Sequence, residues 1–160
     1  MTFRLFLAAV LLFAASAASA ETSKETPNLA GAWTLVSSAI DLGGRKIEPY
    51  GPDPKGSLLL DPSGRYVAMI VRAGLPKIAA GGPVAGTADE NKAIAGGVIA
   101  HFGTYTADDK TITFRIEASS FPNWGGVEQK RSFLLTGDTL TYTADGGASG
   151  IATLVWRRAK

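Results

Sequence analysis

The chain has no cysteine and only one histidine among its 160 residues. No disulfide, thiolate metal site, cysteine nucleophile or lipidated N-terminal cysteine can form. A lone histidine removes His-rich metal sites, and Asp41, Glu48 and Asp53 are spaced too loosely to replace them, so neither a metal nor a cofactor is expected. Lys and Arg form no run; a pair such as Arg157-Arg158 is too little to track phosphates, and nucleic acid is not an expected partner. There is no G-x-S-x-G elbow, Walker loop, H-E-x-x-H motif or dinucleotide fingerprint. Past the N-terminus no apolar run is long enough for a membrane-spanning helix.

What is present begins with an export signal. Arg4 is followed by an apolar stretch over residues 5–15 and by Ala18-Ser19-Ala20, an A-x-A site. Together they predict a signal peptide over residues 1–20 with cleavage after Ala20; an uncleaved anchor is the alternative. Of the 16 basic side chains only Arg4 lies there, so 15 remain against 14 acidic ones and the mature chain is nearly neutral. A signal without a lipobox cysteine fits a periplasmic or secreted protein. Residues 21–28, with Pro27, predict a flexible leader, and residues 29–160 are the right length for one domain that is stable without crosslinks.

The body of the chain predicts eight strands, over residues 32–40, 57–60, 65–72, 100–106, 111–118, 127–135, 140–143 and 151–157. Ile112, Phe114, Ile116 and Ala118 alternate with polar residues, the pattern of a strand with one buried face. Short turns follow each even strand: Asp61-Pro62-Ser63-Gly64 matches a type I turn, Asp108-Asp109 makes the next turn, and Gly137-Asp138 suits a type II′ turn. Long connections follow each odd one, the last over residues 145–150. Thr87-Ala88-Asp89-Glu90 reads as a capping box opening one short helix in the loop between strands three and four. Consecutive connections of an up-and-down barrel lie at opposite ends, so the alternation gathers the short turns at one rim and the long loops at the other. The expected fold is all-β: an eight-stranded up-and-down antiparallel barrel with a shut floor and an open mouth.

Gly31-Ala32-Trp33 opens the first strand and Trp156-Arg157-Arg158 closes the last, both at the shut end, where an arginine can stack over an indole that plugs the floor. Here the chain resembles the lipocalins, whose first strand begins G-x-W and whose C-terminal arginine covers that tryptophan. It is similar over nearly its whole mature length to the bacterial lipocalin-like domain family. The segments carrying the resemblance are residues 29–37, residues 50–56, Phe102-Gly103-Thr104-Tyr105, and above all Phe121-Pro122-Asn123-Trp124 with Glu128, Gln129 and Arg131. The resemblance implies the barrel fold and does not by itself fix an activity.

The expected function is therefore binding of a small apolar or amphipathic molecule in the barrel. Met69, Ile116 and Phe133 would supply walls and Tyr50, Phe121 and Trp124 the rim, with Arg72, Gln129 and Arg131 as polar anchors and residues 73–97 as a lid. His101, the only histidine, begins a strand at the mouth. If Phe133 and Leu135 point inward, period two sends Gln129 and Arg131 inward too. Arg131 then meets either an acidic group on a ligand, positioned by Gln129, or an internal carboxylate; the opposite register would put it outside near Glu117. Available carboxylates favour the last two readings. Alternatives are an isomerase or cyclase using His101, Tyr105 and Glu128, and a filled barrel acting through its surface as an inhibitor or scaffold.

Overall fold

The computed structural model describes residues 27–145 and 150–160; the expected signal peptide, most of the expected leader, and Gly146 and Gly147 of the expected last connection lie outside the described residues. The strands are β1 (Gly31–Leu42), β2 (Arg45–Ile47), β3 (Lys55–Leu60), β4 (Arg65–Val71), β5 (Val98–Ala107), β6 (Thr111–Ser119), β7 (Glu128–Thr136), β8 (Thr139–Asp145) and β9 (Ile151–Arg158). Helix α1 (Ala88–Gly97) precedes β5, and one 3-10 turn (Pro122–Trp124) precedes β7. From β3 onward each strand pairs antiparallel with the next, β1 pairs with β3, and β1 pairs with β9 to close eight strands into a barrel. β2 is an added hairpin arm, joined to β1 through Gly43-Gly44, whose left-handed φ of 62° and 86° suits glycine. Because this arm takes a place in the strand order, α1 follows the fourth strand and not the third.

Local chemistry explains the rims. Asp61 accepts from the Ser63 and Gly64 amides, and Gly64 takes a positive φ, closing the β3–β4 turn. Asp108 accepts from the Lys110 and Thr111 amides at the β5–β6 turn. Gly137 alone has positive φ in the two-residue β7–β8 turn, which is type II′. All three lie at one end, with the connections over residues 43–54, 72–97 and 120–127 at the other, where β8 also ends and β9 begins. Thr87 and Glu90 form the reciprocal capping box at the start of α1.

Two bulges set which side chains enter the barrel. On β1, Leu35 opposes Trp156 and Ser37 opposes Val155, so one extra residue reverses the phase: Trp33 and Leu35 point inward below it, Ser38 and Ile40 above it. On β6, Gly103 opposes Ile116 while Phe102 opposes Ala118, leaving Glu117 as the extra residue. Ala118 is consequently exposed, against the inward position its spacing from Ile116 predicts. The β6 chain lies so close there that a Cβ on Gly103 would sit 2.0 Å from the Arg115 carbonyl oxygen.

The lower barrel is filled. Trp33, Trp156, Leu58, Leu60, Ile112, Phe114 and Leu140 are almost fully buried. The Arg158 guanidinium lies 4.2 Å from the Trp33 ring centre and donates to the Ala30 and Asn28 carbonyls, while the Trp33 indole N–H donates to the Leu29 carbonyl. The floor is thus a stacked cation on an indole, with both polar ends satisfied by the incoming chain.

Candidate functional site

Above the filled floor the barrel opens into a cavity of about 400 Å³. Its walls are the upper inward positions of five strands: Ser38 and Ile40 on β1, Ala68 and Ile70 on β4, Ile99 on β5, Tyr142 and Ala144 on β8, Ala152 and Leu154 on β9. Tyr50 and Pro49 reach it from the first mouth loop, and Phe121 and Trp124 from the 3-10 turn, where Pro122 fixes the chain and the two rings stand edge to face at 5.8 Å. His101 and the pair Gln129 and Arg131 bring polar atoms to an otherwise mostly apolar lining, together with the Tyr142 hydroxyl, Ser38 and the exposed Asp145 at the mouth end of β8.

Arg131 is the unusual member. It is 4% exposed, and its guanidinium lies between the Phe114 and Tyr142 rings, 4.9 and 5.1 Å from their centres. Nη2 donates to Gln129 Oε1 at 2.7 Å, whereas Nε has no hydrogen-bond partner among the described residues. No carboxylate among the described residues forms an ion pair with it. Glu117 is taken by Arg65, and Glu128 by Arg115 at 3.0 Å, both on the outer face. The inward register therefore holds, and the internal ion pair and the outward register are both overturned.

His101 lies beside this cation in a neutral state. It is 6% exposed, its Nδ1 lies 2.8 Å from Tyr66 Oη, and its ring meets Trp124 edge to face at 5.7 Å. Burial, aided by the Arg131 charge, pushes the imidazole down to about 3. Burial likewise raises the Tyr66, Tyr142 and Tyr50 hydroxyls above their ordinary value, so all three stay protonated at neutral pH.

Of the residues singled out from the sequence, Tyr50, His101, Phe121, Trp124, Gln129 and Arg131 converge on this cavity. Met69 touches its edge, but β4 alternation turns the side chain to the outer face, where it is 45% exposed. Arg72 is not in the lining. It clamps two mouth loops, donating from Nε and Nη2 to the Pro49 carbonyl and from Nη2 to that of Gly96. Ile116 is buried and Phe133 half-buried in the filled part of the barrel, outside the cavity lining. No residue of 73–97 lines the cavity; that segment is tied to itself through Glu90, which accepts from the Ala79 and Thr87 amides. The acid–base trio does not assemble: Tyr105 donates to the Asp61 carbonyl at the floor and Glu128 is on the outer face. Tyr142 was legible as an inward member of its strand, where Leu140 and Tyr142 alternate with threonines; Tyr66 was not, because both faces of β4 are apolar, nor were Ser38 and Ile40, because the β1 bulge reverses their phase.

An up-and-down barrel with an arginine-capped tryptophan floor and an apolar cavity open at the other rim is a lipocalin-like barrel. Residues 30–159 match the family described as Lipocalin-like domain, and the chain belongs to that family. Among solved structures it is similar to a redesigned β-barrel, 13% identical, covering 82% of this chain and 92% of the other with a TM-score of 0.44. It is also similar to a mutant of the fluorescent protein UnaG, 11% identical over 82% and 96% of the two chains, with a TM-score of 0.37. No curated protein matches the chain in sequence.

Proposed function

We propose that the chain is exported, loses residues 1–20, and binds a small, mostly apolar molecule in the upper half of its barrel. The observation that carries this reading is the cavity of about 400 Å³, within the range of small-molecule sites and lined chiefly by aliphatic and aromatic side chains with a few polar groups. A barrel acting only through its surface would have no need to leave this volume unfilled, since core side chains pack at crystal-like density where nothing is bound. Tyr50, Phe121 and Trp124 form the rim, and Gln129 and Arg131 the polar anchor.

The test uses the mature protein and a neutral apolar fluorophore, N-phenyl-1-naphthylamine. Saturable binding that quenches tryptophan emission and is weakened by Trp124→Ala is the expected result. No binding by this probe, and no compound released when the purified protein is extracted with organic solvent, would refute the reading.

A further inference from the structure

Given that cavity reading, we propose that the natural ligand is an amphipathic monocarboxylate that enters acid first, seats its carboxylate on Arg131, and leaves its apolar body toward the mouth.

A guanidinium cannot shed its proton to escape burial, and a buried charge without an opposite charge is costly. Arg131 is in that position: only 4% of it is exposed, Gln129 supplies a neutral oxygen, Nε has no partner among the described residues, and Glu117 and Glu128 of the neighbouring strand positions pair with Arg65 and Arg115 instead. The aromatic rings flanking the guanidinium offset part of the cost, yet they leave its donor edge to be satisfied. An anion entering the cavity would complete the set.

The surroundings limit the charge that anion can carry. His101 is neutral, and the Tyr66 and Tyr142 hydroxyls are protonated, so the inner end of the cavity holds one positive charge. One negative charge balances it; a phosphate dianion would leave an excess charge among aromatic rings. A carboxylate also matches the planar donor edge of a single arginine. Orientation follows from the other end. At the mouth, Tyr50, Phe121 and Trp124 offer ring surfaces to an apolar body.

The experiment is displacement of N-phenyl-1-naphthylamine by decanoate, decanamide and methyl decanoate, all below their aggregation concentrations at pH 7.5. For the unaltered protein, decanoate is expected to bind about 10- to 100-fold more tightly than the amide, the range of a charge-assisted hydrogen bond. In Arg131→Met the ratio of acid to amide affinity is expected to fall to about one, whatever the probe's own affinity for the variant. Equal binding of acid and amide, or a preference that survives in Arg131→Met, would overturn the proposal while leaving the cavity reading intact. Failure of the probe itself to bind would remove both. The comparison within the unaltered protein decides the matter even if the variant does not fold.

Discussion

Tyr66 Oη and His101 Nδ1 stand 2.8 Å apart, bridging β4 and β5 beneath the cavity. Two neighbouring strands are thereby joined by a side-chain hydrogen bond whose acceptor or donor is an imidazole kept neutral by burial. The same arrangement leaves Arg131 as the one buried cation at the inner end of the site.

That arrangement makes the fold acid-sensitive in a predictable direction. His101 is held down to about 3 in the folded protein and returns to about 6.5 when unfolded. Between these values the unfolded chain binds more protons, so the contribution is fully present above pH 6.5 and is lost as pH falls toward 3. The slope approaches about 1.4 kcal/mol per pH unit in the middle of the window. Urea denaturation from pH 7.5 to 4 should show His101→Gln losing less stability on acidification than the unaltered protein; parallel curves would contradict this.

The floor gives a second expectation. Arg158→Ala removes the stacking over Trp33 and the hydrogen bonds to Ala30 and Asn28, and should cost about 1–3 kcal/mol. Arg158→Lys should recover only part of it, because an ammonium lacks the planar fork that stacks and donates at once. Equilibrium unfolding in urea measures both.

Glycines should divide by the space beside them. Gly103→Ala drives a Cβ into the Arg115 carbonyl at the β6 bulge and should cost more than about 2 kcal/mol or prevent folding. Gly96→Ala, in α1 with open space around it, should stabilise by up to about 1 kcal/mol. Thermal melts of the two variants read the contrast.

Replacing Arg131 by methionine should leave the ligand-free protein at least as stable as the unaltered one, with a gain of up to about 4 kcal/mol, since it removes a buried unpaired charge in favour of a side chain of similar reach. A large loss of stability would mean that the cation serves the fold and not the cavity.

Much of this was readable beforehand because turn chemistry and strand period are local. Asp61-Pro62-Ser63-Gly64 and Gly137-Asp138 fixed two hairpins, and period two from Phe133 and Leu135 offered Gln129 and Arg131 as inward residues, although available carboxylates weighed toward an internal ion pair or the outward register. Met69 was misplaced because both faces of β4 are apolar: Tyr66, Ala68 and Ile70 enter the barrel while Val67 and Met69 remain on the surface. Such a strand does not declare its phase. The bulges at Val36 and Glu117 are equally silent in the sequence, since each depends on how a neighbouring strand runs past. Whether a carboxylate reaches Arg131 depends on which faces Glu117 and Glu128 occupy, and the outward answer emerges only once β6 and β7 are in place.

The decisive measurement is a methyl-labelled NMR titration of the mature protein with decanoate. Shifts should concentrate in Ile40, Ile70, Ile99 and Leu154 around the cavity, with Leu58, Leu60 and Leu140 in the filled floor nearly unmoved. Perturbations confined to outer-face methyls such as Leu59 and Val67, or saturating ligand with no methyl shift at all, would show that the barrel interior does not receive a guest.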